Sequence, residues 1–217
     1  MRSMRLVFIM LFCLMCSACQ AETFTADTLP WVGDEPVLFK DGFSDQLGHW
    51  TTHEDSLSFA GYAQNGFRLW ANVPNYQFWS VPELNFKDVL IYTRARKQAG
   101  PENNIFGVLC RYQDEDNYYA LVIGSDGYYG VFRTLKGEQM LIGQEHMDFS
   151  EVINQGENVN EIQAICQGDQ LTLIINEITL IQVQDNALSY GDVGLMIGNF
   201  SEPGVDILFD DFFVLKP

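Results

Sequence analysis

The chain has 217 residues and a formal net charge of −17. That charge argues against nucleic acid or an anionic lipid surface as a partner, since a polyanion needs a cationic footprint. Hydrophobic residues make up 47 % and aromatic residues 13 %, enough for a sizeable core and for strands rich in rings.

The first segment carries Arg2 and Arg5, then the apolar run Leu6 to Met15, then Ser17-Ala18-Cys19. A short basic region, an apolar stretch and small residues before a cleavage point make an export signal over residues 1–18. The apolar run is shorter than the roughly 20 residues that a bilayer span needs. A cysteine directly after Ser-Ala also matches the lipobox, so Cys19 is the expected acylation site, although Cys16 stands where that motif usually has leucine. Ordinary cleavage near Ala18 or Ala21, releasing a soluble secreted protein, is the alternative. Loss of Arg2 and Arg5 moves the net charge from −17 to −19. Residues 19–35 lack periodicity and read as a lipidated N-terminus and tether.

From Val37 onward, short apolar runs alternate with turn signals every eight to twelve residues, the rhythm of a two-sheet antiparallel β-sandwich. Strands are predicted over 36–40, 57–60, 67–72, 77–81, 88–97, 104–112, 117–123, 128–134, 139–144, 160–167, 170–175, 178–184, 191–198 and 205–214. The turn Gly124-Ser125-Asp126-Gly127 suits a hairpin, as does Gln167-Gly168-Asp169-Gln170. A helical turn near 149–154 is the one helical candidate. In the last strand the apolar residues change parity at Asp210-Asp211, which predicts a bulge. The first and last strands are expected to pair. One all-β domain of jelly-roll type over 36–217 results.

Cys110 and Cys166 are the two cysteines left to an exported domain, and both fall on apolar faces of their strands. A disulfide between them would close a loop of about 56 residues, worth at most ~4 kcal/mol on chain-entropy grounds. Two buried free thiols are the alternative.

Phe39-Lys40-Asp41-Gly42-Phe43 with Trp50, Gly107-Val108-Leu109-Cys110-Arg111-Tyr112, Asn117-Tyr118-Tyr119 and Ser125-Asp126-Gly127-Tyr128-Tyr129 are the distinctive pieces. Cys166-Gln167-Gly168, Gly191-Asp192-Val193-Gly194-Leu195 and Phe209-Asp210-Asp211-Phe212 complete the series. In this order they resemble the concanavalin A-like lectin/glucanase superfamily, nearest its bacterial 3-keto-disaccharide hydrolase and family-16-like lipoproteins. The resemblance covers about residues 36–216 and implies the jelly-roll fold. It does not carry an activity, because the superfamily holds lectins, glucanases, lyases and adhesion modules.

The catalytic patterns of that superfamily are missing. No strand carries Glu-x-Asp-x-x-Glu, the spacing that would set paired carboxylates on one face, and Asp114-Glu115-Asp116 falls between strands. There is no Gly-x-Ser-x-Gly elbow and no phosphate loop. Asp41, Asp210 and Asp211 would offer hard oxygen ligands to a structural calcium if the first and last strands bring them together. Turn or bulge roles are the alternative for them.

Positive charge is scarce, and alternation turns Tyr92, Arg94, Arg96, Arg111 and Arg133 outward on strands 88–97, 104–112 and 128–134. If those strands are neighbours, the five residues form one exposed groove suited to an oxygen-rich ligand. Replacement of Arg111 by alanine should then weaken binding and spare stability. Cross-strand pairing of the arginines with carboxylates is the competing reading. Tyr76 and Trp79, beside Pro74-Asn75, are expected at the groove's mouth, where rings stack on sugar faces.

The expected function is therefore a glycan-binding or surface-interaction module with no turnover motif, held outside the cytoplasm by a lipid anchor. Its partners would be a glycan or an envelope protein, with membrane contact through the anchor alone and no nucleic acid. The alternatives are a glycoside hydrolase acting on 3-keto-type sugars and a structural envelope module.

Overall fold

The computed structural model describes residues 36–46 and 48–217. The export signal, Cys19 and the tether lie outside the described residues. Among the described residues sixteen strands form: β1 (Val37–Asp41), β2 (His53–Glu54), β3 (Ser58–Ala63), β4 (Gly66–Ala71), β5 (Gln77–Ser80), β6 (Val89–Ala99), β7 (Asn104–Asp114) and β8 (Asn117–Ile123). They continue as β9 (Tyr128–Leu135), β10 (Glu138–Leu141), β11 (Asp148–Phe149), β12 (Asn160–Gln167), β13 (Gln170–Ile175), β14 (Ile178–Gln184), β15 (Asp192–Asn199) and β16 (Val205–Leu215).

Two antiparallel sheets stack as a jelly roll. The nine-stranded sheet runs β14-β13-β12-β6-β16-β4-β3-β2, with β1 also on β16, and the seven-stranded sheet runs β10-β9-β8-β7-β15-β5, with β11 on β9. Between them lies one core, to which β16 gives Phe209, Phe212 and Val214, β6 gives Ile91 and Ala95, β7 gives Phe106 and Val108, and β15 gives Leu195 and Ile197. Alternation accounts for this: residues two apart share a face, and the apolar parity of each strand is turned inward.

Cys110 on β7 and Cys166 on β12 form the disulfide, with Cα atoms 6.8 Å apart, and so staple one sheet to the other through the core. The first and last strands pair, Asp41 opposite Phe212. The bulge falls at the paired aspartates: Asp211 has φ of 53° and the register with β6 shifts between Asp210 and Phe213. That extra residue returns Phe212 and Val214 to the face of Phe209.

Two expectations are corrected. Among the described residues no helix forms: in the segment 149–154, Phe149 closes β11 and only 151–153 is turn and bend. The segments 88–97, 104–112 and 128–134 do not share a sheet. β6 belongs to the nine-stranded sheet, whereas β7 and β9 belong to the seven-stranded one. The chain crosses between sheets after β6, at Gly100-Pro101, instead of turning back as a hairpin.

Candidate functional site

The split of β6 from β7 divides the anticipated arginine groove, and each arginine has its own local reason for its position. Arg111 is 2 % exposed and has φ of 52°. The left-handed backbone at this bulge breaks the alternation that would have turned it outward, and the register between β7 and β8 shifts beyond Cys110. Its guanidinium donates to the carbonyls of Leu188 and Gly168, both at 2.8 Å, and of Lys87 at 3.3 Å, with Asp88 at 3.5 Å. Arg111 thus ties together three loops at one end of the sandwich.

Arg133 on β9 pairs with Asp185 at 2.5 Å. Burial alone would raise the Asp185 carboxyl, but bonds from the Tyr119 hydroxyl and the Ala187 N–H, together with Arg133, outweigh it and hold the group below its ordinary value. Arg94 on β6 donates to Asp210 at 2.6 Å and lies 3.2 Å from Asp211. Tyr92 is fully buried, its ring 6.1 Å from that of Phe213, and burial pushes its hydroxyl up. Arg96 stays exposed. With Arg94, Gln64, Asn65 and Asp210 it borders a depression of about 340 Å³ on the outer face of the nine-stranded sheet. The five residues therefore do not form one groove: Tyr92 is buried, Arg111 is a loop tie, Arg94 and Arg133 are locked to carboxylates, and Arg96 alone of the five is exposed.

Asp41, Asp210 and Asp211 do not converge either. The Asp41 carboxylate is 5 % exposed and accepts from the Phe43 N–H (2.7 Å), the Trp50 indole (3.0 Å) and the Tyr62 hydroxyl (2.9 Å). It organises the entry of the chain into the core, while Asp210 and Asp211 face Arg94. Burial, reinforced by the charge of Asp210 and opposed by Arg94, pushes the Asp211 carboxyl up to about 6. Among the described residues no group of three His, Cys, Asp or Glu side chains is placed to hold a metal ion.

The aromatic residues lead to a different surface. Trp79 lies on the face of the seven-stranded sheet that looks away from the main core. Its ring is 5.6 Å from that of Tyr118 and 6.2 Å from that of Tyr112, and its indole donates to the Tyr112 hydroxyl at 3.2 Å. Tyr76 is 37 % exposed just before β5 and stacks on Phe78, with centroids 6.0 Å apart.

This face is concave. β5 and β10 are opposite ends of a six-strand path, and at 4.7–4.9 Å per strand a flat sheet would hold them roughly 24 Å apart. Yet Gln77 on β5 and Gln139 on β10 exchange reciprocal amide hydrogen bonds of 2.9 and 3.1 Å. The Tyr118 hydroxyl donates to the same Gln77 oxygen at 3.2 Å. Only a curled sheet brings these side chains together. Beneath the bridge, Ile105, Leu109, Tyr118, Ala120, Val122 and Met196 form a second buried apolar cluster, with Trp79, Tyr112, Phe132 and Met147 partly buried around it. A trough with rings that carry polar tips, amide groups at its rims and an apolar floor can hold a ligand with both hydroxyls and apolar ring faces.

Sequence reasoning missed Gln77, Gln139, Tyr112 and Tyr118. The available signal was shared parity: Gln77 with Trp79, and Tyr118 with Ala120 and Val122, alternate against the core-facing residues of their own strands.

No family model matches the chain, and no curated protein sequence matches it. Solved structures match in fold. Carbohydrate binding module CBM66 from Bacillus subtilis superposes with a TM-score of 0.63 at 13 % identity, over 77 % of this chain and 96 % of that one. A Bacillus subtilis protein of unknown function with a galectin-like fold gives 0.62 at 11 % identity, over 84 % and 97 %. A GH16 protein of a Bacteroides ovatus mixed linkage glucan locus gives 0.56 at 13 % identity, over 82 % and 100 %. At these identities the likeness is one of fold: a concanavalin-like jelly roll.

Proposed function

We propose that this chain is an exported, lipid-anchored glycan-binding module that holds carbohydrate on the concave face of its seven-stranded sheet. One observation carries the reading. The Trp79, Tyr112 and Tyr118 rings are grouped on that face, where the Trp79 indole donates to the Tyr112 hydroxyl and the Tyr118 hydroxyl donates to the Gln77 amide oxygen. Rings of this kind offer flat apolar area with a polar handle, which suits the two-sided chemistry of a sugar. Fold neighbours that include a carbohydrate binding module and a glycan-locus protein support it. The anchor rests on Ser17-Ala18-Cys19 after the apolar run, and the mature charge of −19 favours a neutral or weakly charged glycan over a polyanion.

A glycan array probed with the purified full chain tests the proposal. Binding to a defined set of saccharides is expected, and Trp79→Ala should weaken it tenfold or more, the loss of about 1.4 kcal/mol from a central aromatic anchor. Release of reducing sugar from a bound glycan would favour the glycoside hydrolase of 3-keto-type sugars instead. Binding to no saccharide, alongside capture of a single envelope protein, would favour the structural module.

A further inference from the structure

The concave face is interrupted. The reciprocal amide pair of Gln77 and Gln139 ties one rim to the other, and the floor beneath it is filled by the protein's own side chains. At one end of the trough lies a depression of about 220 Å³ bordered by Asn103, Asn104, Asp126, Tyr128, Met147 and Phe200. Asn104 opens β7 and Tyr112 stands eight residues further along it, while Trp79 pairs with Met196, which pairs with Gly107, so Trp79 lies between the depression and Tyr112. Met147 borders the depression and also packs on the concave apolar cluster, so the depression is a mouth of the same trough.

We infer, resting on the glycan reading above, that this mouth receives the terminal sugar of a glycan and that the protein recognises chain ends, not internal segments. The volume falls below the roughly 300–1,000 Å³ of pockets for larger ligands, and so suits a single sugar ring. Tyr128 and Phe200 are 43 % and 40 % exposed at its edges, where their rings are available to the apolar faces of that sugar.

The polar groups divide by role. Asn104 is committed to the fold: its amide donates to the Pro101 carbonyl at 2.6 Å and to the Ser125 hydroxyl at 3.0 Å, and its oxygen accepts from the Ser125 N–H at 3.1 Å. Asn103 is exposed and offers both a donor and an acceptor. Asp126 takes the Tyr128 N–H on Oδ1 at a long 3.4 Å, which leaves lone pairs for vicinal hydroxyls. Its fold-back depends on Gly124, where a Cβ would lie 2.4 Å from that oxygen. The end of a glycan enters this mouth toward the Trp79 ring, and the filled floor and the amide bridge stop it there, so the trough admits an end and not an internal segment.

Titration calorimetry of the full chain with mixed-linkage glucan and with xylan, each intact and after partial hydrolysis, tests the inference. End recognition predicts that binding capacity per unit mass rises in proportion to chain ends: tenfold more ends, tenfold more sites. Asp126→Asn and Phe200→Ala should each weaken binding at least tenfold while the melting temperature is unchanged, since both side chains lie outside the main core. Capacity per mass that stays constant through hydrolysis would overturn end recognition and leave the glycan reading intact. End-dependent binding that survives both substitutions would overturn the assignment to this mouth. Absence of binding to every form, by the wild type and by Gln77→Ala/Gln139→Ala, would overturn the glycan reading and this inference together.

Discussion

Replacing Arg111 by alanine should destabilise the domain severely. The side chain is buried, and two of its bonds, to the Leu188 and Gly168 carbonyls, are short at 2.8 Å. Hydrogen bonds from a charged group contribute about 1.5–3 kcal/mol each, and a carbonyl left buried without a partner costs about 1–3 kcal/mol. Asp88, 3.5 Å away, loses its counter-charge as well. Breaking a buried ionic arrangement from one side typically costs about 3–5 kcal/mol, and that is the loss expected here. In a domain of this size each kcal/mol lowers the melting temperature by about 2–4 °C, so calorimetry should show a fall of roughly 6–20 °C. Arg111→Lys keeps the charge but not the planar fork and should fall between the two. Arg111→Gly should recover about 1 kcal/mol relative to alanine, because the φ of 52° no longer opposes a Cβ. A melting temperature that Arg111→Ala leaves unchanged would refute this account and restore the arginine to the surface role its sequence position suggested.

Three further outcomes are expected. Cys110→Ala/Cys166→Ala should lose up to about 4 kcal/mol through the freed loop, read by urea denaturation, and non-reducing peptide mapping of the wild type should recover the cross-linked pair. Burial pushes Asp192 and Asp211 up to about 6, above the roughly 3.9 of an unfolded aspartate, so the folded state binds more protons than the unfolded state between those values. Their contribution is fully present below about pH 4 and is lost as pH rises through about 6. Scanning calorimetry from pH 4.5 to 7.5 should show this decline, and Asp211→Asn should flatten part of it; an unaltered slope in that variant would count against the buried carboxylate as its source. Intact mass should show an acylated N-terminal Cys19, and Cys19→Ser should release the protein from membranes, whereas an unmodified mature N-terminus would remove the anchor from the proposal.

Much of the fold was legible because it rests on local patterning. Cys110 and Cys166 each sat on an apolar face, and inward parity alone aims two such cysteines at each other across a core. The parity change at Asp210-Asp211 announced its bulge, since Phe209 and Phe212 must both face inward. The arginine groove failed on two features that leave no pattern. The step from β6 to β7 crosses between sheets through Gly100-Pro101, a sequence that would serve equally well as a hairpin turn. The bulge at Arg111 places a side chain with no preference for the left-handed region in that region, so counting outward from Cys110 gave the wrong direction. The concave site was half visible. Trp79 stood out as an aromatic residue, but Gln77 and Gln139 are 62 residues apart and meet only because the sheet curls.

The central claim is that glycan engages the concave face of the seven-stranded sheet, and the four tryptophans give it a direct readout. Trp79 reports that face, Trp70 lies on the nine-stranded sheet with Arg68 over its ring at 5.9 Å, and Trp50 is buried in the core. In a heteronuclear NMR titration of the full chain with an oligosaccharide selected on the array, the Trp79 indole N–H should shift and saturate with the binding isotherm. The Trp50 and Trp70 signals should stay in place. A saturating shift of Trp70 with Trp79 unmoved would put the ligand on the opposite sheet and contradict the claim.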